Sequence, residues 1–240
     1  MIEFLNLEDA NAALNHSPLL RAVEKTFTYI EEHGGIGLTP STAFKRTFVH
    51  WAAAEFDWPG YSHNELFRMN KVLNELDFMP LSDLHALLLG LKIGRHYKKE
   101  FKLTKSGHAL IGQRAKLFGI LTPAYLFNMD HSYNTRMSLP QIGNWDIFLN
   151  VLNVETENSA TGSDLRKVFF GPHDHPDQYD NLMGSLYVNV LRPLCWTGLL
   201  YEHESKDFLL SETRIFSKTP LWRAALRLDT DDLIRSETRH

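Results

Sequence analysis

Residues 90–107 read Gly90-Leu91-Lys92-Ile93-Gly94-Arg95-His96-Tyr97-Lys98-Lys99-Glu100-Phe101-Lys102-Leu103-Thr104-Lys105-Ser106-Gly107. Gly90 is suited to end a helix, because glycine adopts the left-handed backbone found at helix C-termini. The residues around Tyr97-Lys98-Lys99-Glu100 predict two short strands joined as a hairpin. Thr104 carries a hydroxyl able to accept from the first free N–H groups of a helix running through Leu110. Six cations, Lys92, Arg95, Lys98, Lys99, Lys102 and Lys105, fall in this stretch against one acid, Glu100.

Upstream, Ser17-Pro18 pairs an N-cap hydroxyl with proline at the first helical position. Leu19, Val23, Phe27 and Ile30 then recur at helical spacing, and His33-Gly34-Gly35 stops that helix. Ile36-Gly37-Leu38-Thr39 reads as a short extended piece. Pro40 is expected to open a second helix with Phe44, Phe48, Trp51 and Phe56 as its apolar stripe. Trp58-Pro59-Gly60 is a turn, and Ser62-His63-Asn64-Glu65 has the spacing of a capping box. Leu66, Met69, Leu73 and Leu76 are expected on one face of the helix that follows. A further helix is expected from about Pro80 to Leu89.

Helices, a basic hairpin and a final capped helix follow the winged-helix order. Gly90-Leu91, the basic hairpin and Phe101-Lys102-Leu103-Thr104-Lys105-Ser106-Gly107 resemble the wing of the winged-helix superfamily. They are also similar to the winged-helix region of uncharacterised bacterial plasmid-encoded proteins. The resemblance covers roughly residues 18–117 and is uninformative about the ligand.

The second half repeats the signal more weakly. Gly198-Leu199-Leu200 matches Gly90-Leu91-Lys92, and Thr219-Pro220-Leu221-Trp222 matches Thr104-Lys105-Ser106-Gly107. Before these lie expected helices at about Trp145–Leu152, Ser163–Phe170 and Tyr179–Leu191. Pro193 is expected to bend or stop the last of them. Asn153–Ala160 and Gly171–Gln178 read as loops. The expected fold is mainly α with short β-hairpin wings, an α+β chain with two winged-helix units in tandem. The units are an N-terminal extension at 1–17, a first winged-helix unit at 18–117, a connecting segment at 118–139, a second, degenerate unit at 140–228 and a tail at 229–240.

Composition bounds the function. The chain has 240 residues and a formal net charge of −4, so any nucleic-acid site has to be local. The single cysteine, Cys195, excludes an internal disulfide, and its apolar neighbours Leu194 and Trp196 suggest an inert, buried thiol. The acidic start lacks the basic-then-apolar pattern of a secretion signal, and no apolar run nears the roughly 20 residues that cross a bilayer. The expectation is a cytoplasmic protein without membrane contact.

The chemistry is equally bounded. No Gly-x-Ser-x-Gly elbow appears, and Gly34-Gly35-Ile36-Gly37 lacks the lysine of a phosphate-cradling loop. His173-Asp174-His175-Pro176-Asp177 has the spacing of a metallo-hydrolase ligand set, but Gln178 stands where a further histidine is needed. It reads as a polar loop, and neither a metal nor another cofactor is expected. The reading is a non-enzymatic protein.

The basic wing points to double-stranded DNA, held by its phosphates. Lysines on an exposed hairpin also guard against strand-edge aggregation, which is the plainer explanation of the same residues. The preceding helix would show Ser82, Ala86 and Leu89, with His85 at the edge. These are small or apolar groups rather than the Arg, Asn or Gln that read bases. The expected nucleic-acid contacts are therefore Lys92, Arg95, Lys98, Lys99, Lys102 and Lys105, with Ser82 and His85 on the helix.

The second wing carries Glu202, Glu204, Asp207 and Glu212 against Lys206 and Arg214 and would repel a duplex. Trp196, Leu199, Phe216 and Trp222 read as core. Two functions follow. One is a DNA-binding regulator or accessory factor acting as a dimer. The other is a protein-interaction subunit using winged-helix surfaces for self-association or assembly, by fold-level analogy with subunits of chromosome-organising complexes.

Overall fold

The computed structural model describes residues 1–133, 140–172, 180–203 and 213–237. These residues are mainly helical, with three small antiparallel sheets. The chain divides into two compact units. The N-terminal unit holds Glu8–Ala10 and Ser17–Ala124, and the C-terminal unit holds Met1–Leu7, Asn11–His16 and Tyr125–His240.

The chain opens with β1 (Ile2–Phe4), a strand of the C-terminal unit. The N-terminal unit begins with α1 (Pro18–His33), where Ser17 Oγ accepts from Leu20 N at 3.2 Å. Gly34 ends α1 with a φ of 77°, donating to the Ile30 carbonyl. Next come β2 (Ile36–Gly37) and α2 (Arg46–Glu55). The expected helix start at Pro40 is corrected. Thr39 Oγ1 accepts from Ala43 N, and Leu38 bridges Phe44, so residues 39–43 form a tight turn that delays the helix to Arg46. Phe44 is thus outside the helix yet still buried.

Helix α3 (His63–Met69) carries the expected capping box, with Ser62 and Glu65 each satisfying the other's backbone N–H. It ends at Asn70 in extended backbone. That break takes Met69 and Leu76 off the expected apolar face: both are exposed, whereas Leu66 and Leu73 are buried. A 3-10 turn, Glu75–Asp77, leads into α4 (Met79–Gly90). The hairpin is β3 (Gly94–Tyr97) and β4 (Glu100–Leu103), followed by α5 (Lys105–His108), whose N-cap is Thr104. Phe101 sits at the centre of the core, with Phe44 and His85 ring-packed against it. Glycine is required at position 94, on the same face of the hairpin, since a Cβ there would lie 1.9 Å from the Phe101 ring.

Helix α6 (Arg114–Asn128) contributes residues to both units. The C-terminal unit continues with α7 (Trp145–Glu155), β5 (Ala160–Thr161) and α8 (Gly162–Phe170). Asn153 is therefore helical and buried rather than in a loop. Next are α9 (Asn181–Leu186), a π-helical segment at Tyr187–Leu191, and α10 (Arg192–Thr197). Pro193 does not stop this helix. The π turns just before it shift the hydrogen-bond ladder, with Arg192 N donating to the Tyr187 carbonyl, and the helix continues through a proline that has no N–H to donate. The unit closes with β6 (Leu200–His203), β7 (Ile215–Lys218), α11 (Pro220–Ala225), β8 (Leu226–Leu228) and α12 (Asp231–Glu237), and β8 pairs with β1. Trp196, Leu199, Phe216 and Trp222 are all buried.

The two units repeat one hydrogen-bonded pattern. Each sheet places the early short strand beside the second strand of the hairpin, in the orders β2-β4-β3 and β5-β7-β6. Gly94 pairs with Leu103 as Leu200 pairs with Lys218, and Ile36 pairs with Phe101 as Ala160 pairs with Phe216. Thr104 Oγ1 donates to the Lys92 carbonyl at 2.7 Å, and Thr219 Oγ1 donates to the Gly198 carbonyl at 2.6 Å. Gly198 thus corresponds to Lys92, not to Gly90 as the sequence comparison paired it. The backbone gives the reason: Lys92 and Gly198 are the left-handed residues between helix and strand, at φ 55° and 83°. The first strands are offset by 106 positions (200 − 94) and the second by 115 (218 − 103), so the C-terminal hairpin loop is longer by nine residues (115 − 106).

Candidate nucleic-acid interface

The N-terminal hairpin turns in two residues. Lys98 and Lys99 hold both central positions with φ of 49° and 63°. This is the twist-matched turn that Asn-Gly usually fills, and left-handed backbone costs a side-chain-bearing residue about 1 kcal/mol or more. Both lysines are exposed.

Alternation along the strands sorts the rest. Gly94, His96, Phe101 and Leu103 share one face, while Arg95, Tyr97, Glu100 and Lys102 share the other. On that outer face Arg95 lies directly across from Lys102, a like-charge pairing that weakens a sheet. Lys102 bridges Glu100 at 3.0 Å, a half-exposed pair worth at most about 1 kcal/mol. The Arg95 guanidinium and the Lys98 ammonium each lie 5.3 Å from the Tyr97 ring centre. Lys92, Lys98, Lys99 and Lys105 are exposed and form no ion pair with the described residues.

Two expected contacts sit elsewhere. Ser82 is half-buried on α4. His85 is buried, which corrects its placement at the solvent edge of α4. Its Nδ1 lies 2.7 Å from Glu75 Oε1, its ring stacks on Phe44 with centroids 3.9 Å apart, and Phe101 closes the other side. Glu75 is buried too, and its second oxygen accepts from Phe44 N. The carboxylate draws the imidazole inward, a pairing invisible to the helical period because the partner lies in a separate turn. On α4 the exposed positions are Ala86 and Gly90, which offer no donor to a base edge.

Two residues join the interface that the sequence reading omitted. Lys45 lies along the sheet, where a methyl added to Gly37 would meet its Cδ at 2.9 Å. Its only sequence signal is the Lys45-Arg46 pair. His96 is exposed on β3 and its Nε2 lies 2.9 Å from His85 Nε2. Desolvation, and then the neighbouring His85, hold the His96 imidazole below the usual histidine range, against the pull of Glu75.

The C-terminal hairpin is chemically different. Arg214 donates to Glu202 Oε1 at 2.6 Å and its guanidinium lies 4.7 Å from the Tyr187 ring centre, while Tyr187 donates to Glu202 Oε2 at 3.1 Å. Glu202 is thus spent on an internal network rather than on an acidic surface. Glu204, Lys206, Asp207 and Glu212 lie outside the described residues, as does the His173–Asp177 loop. Cys195 is half-buried rather than buried, and desolvation followed by the Glu202 charge pushes its thiol well above the ordinary range. Such a thiol is a weak nucleophile. Among the described residues no helix is long and apolar enough to cross a membrane.

Comparison with known proteins gives the chain's relatives. The family described as Y4jL N-terminal domain matches residues 15–116, and the y4jL C-terminal domain matches residues 135–220. A protein of Sinorhizobium fredii (strain NBRC 101917 / NGR234), described as uncharacterized protein y4jL, is 35% identical over 162 residues, covering 67% of this chain and 74% of the relative. No solved structure matches. With both domain families matched in order and a relative of this extent, the chain belongs to the y4jL family.

Proposed function

We propose that this protein is a non-enzymatic, duplex-DNA-binding factor built from two winged-helix units, in which the N-terminal hairpin is a wing that grips phosphates. The observation that carries the reading is the turn itself. Two lysines occupy the left-handed positions of a two-residue hairpin, flanked by Arg95 and Lys102 on one face and by Lys92 and Lys105 at the base. Solubility needs charge at a hairpin tip but no strained backbone there, and strain of this kind is often kept for function. The sheet order, with the early strand beside the second hairpin strand, supports the winged-helix reading of both units. The bland outer face of α4 favours contact with phosphates over a base code.

The test is a salt series on duplexes of unrelated sequence. Lys98→Ala/Lys99→Ala should weaken all of them alike and flatten the slope of log affinity against log salt by about 0.9 per lost contact. Ser82→Ala should change neither. Wild-type protein that leaves duplex DNA unbound at about 50 mM salt, where phosphate contacts are strongest, overturns the reading. That result would favour a protein-interaction subunit, for which one observation speaks. Met69, Val72 and Leu76 are exposed at 78%, 48% and 75% within eight residues of the N-terminal unit.

A further inference from the structure

The N-terminal unit contains a chain of three polar side chains that phosphate binding by lysines does not require. Glu75 Oε1 meets His85 Nδ1 at 2.7 Å, and His85 Nε2 meets His96 Nε2 at 2.9 Å. The first two are buried and the third is exposed, on the strand that leads directly to Lys98. The chain therefore runs from the core out to an exposed side chain of β3. A buried carboxylate and a buried imidazole are costly unless each is hydrogen-bonded, and here each supports the next.

The proton count follows from the geometry. Glu75 Oε2 accepts from Phe44 N, and an Oε1 that accepts in the same way places the hydrogen on His85 Nδ1. Two nitrogens 2.9 Å apart hold one proton between them: two lone pairs would repel, and two hydrogens would clash. With one proton shared there, His96 Nδ1 is left as a bare lone pair, an acceptor that repels a phosphate oxygen. A further proton entering the chain has one open place, His96 Nδ1. It turns that acceptor into an N–H donor and adds one positive charge beside the wing, without breaking either internal hydrogen bond. The charged and titratable groups acting on His96 are Glu75 from the 3-10 turn and His85 from α4, while β4 presents only the Phe101 ring.

We propose that His96 is a proton-gated phosphate contact of the wing, held in place by His85 and Glu75, so that binding of a nucleic-acid phosphate takes up one proton. This rests on the reading of the wing as a phosphate-binding element. Desolvation disfavours the charged form of His96 in the free protein, and a bound phosphate and the proton stabilise each other.

The experiment compares the full chain with its His96→Gln variant, binding one mixed-sequence duplex of about 20 base pairs at constant ionic strength, from about pH 8 to about pH 5.5. Glutamine keeps a hydrogen bond toward His85 and cannot titrate. Wild-type affinity should rise on acidification more steeply than that of the variant. The two slopes of log affinity against pH should differ by up to about one, and the two affinities should converge near pH 8. Equal slopes in the two proteins overturn the proposal and leave the lysine wing standing. Absence of duplex binding at every pH removes the phosphate reading and the proposal with it. A ring-nitrogen NMR titration of the free protein checks the gate separately: His96 should gain its proton at Nδ1, and protonation at Nε2 with loss of the His85 contact overturns it.

Discussion

The two hairpins share a ladder and part company at the tip. In the N-terminal unit two residues turn the chain, and the exposed lysines there have no carboxylate partner among the described residues. In the C-terminal unit eleven positions separate His203 from Ile215, and the cation at the start of β7, Arg214, is engaged by Glu202 and Tyr187. Below the tips the correspondence is close: Phe101 and Phe216 are both fully buried at the same ladder position, and Thr104 and Thr219, each the N-cap of the following helix, donate the same hydrogen bond back across the hairpin, to the Lys92 and Gly198 carbonyls. A backbone pattern can therefore be held constant by one aromatic and one threonine while the tip cations are left without a carboxylate among the described residues in one unit and Arg214 is engaged by one in the other. A shared fold does not by itself fix what its hairpin surface can contact.

The correspondence is most exposed to failure in the core. Phe101→Ala and Phe216→Ala should each destabilise their unit by about 3–5 kcal/mol, the usual loss for a deleted core phenylalanine. Urea unfolding of both variants measures this. A Phe216 variant that loses less than about 1 kcal/mol would break the equivalence of the two ladders.

Acid should separate the units next. His131 of the C-terminal unit is buried, and desolvation with the nearby Arg192 pushes it down to about 4. Because the unfolded chain holds that proton up to the ordinary histidine value of 6.5, stability is full above about pH 6.5 and falls as pH drops toward 4. The loss should reach about 3 kcal/mol at its limit. His131→Phe should flatten that limb of the stability profile. An unchanged acid limb in the variant would assign the sensitivity to another group.

A smaller effect tests why the tips differ. Replacing the turn by Lys98→Asn/Lys99→Gly supplies residues that accept left-handed backbone and should stabilise the N-terminal unit by roughly 1 kcal/mol. Thermal unfolding would show the gain. The same variant should bind duplex DNA more weakly, as the alanine pair does. If stability and affinity rise together, the lysines are not held in strained backbone for binding.

Much of this molecule is written in short stretches of chain. Ser17, Ser62 and Thr104 announce their helices because a cap needs only its own hydroxyl and an N–H two or three residues on. Gly34 ends α1 for an equally local reason, and the short strands read around Lys98-Lys99 locate the basic hairpin. What the tertiary structure decided is which faces are covered. Helical period alone puts His85 at the edge of α4, but Glu75, in a different turn, draws it inside and hands its second nitrogen to His96. The correspondence of Gly198 with Lys92 rests on a threonine hydrogen bond across a hairpin, which no comparison of glycines along the chain can see. Pro193 continues its helix after π turns that shift the hydrogen-bond ladder. Capping and turn signals act over three or four residues and survive in sequence, whereas burial and cross-element hydrogen bonds depend on residues that meet only after the chain has folded.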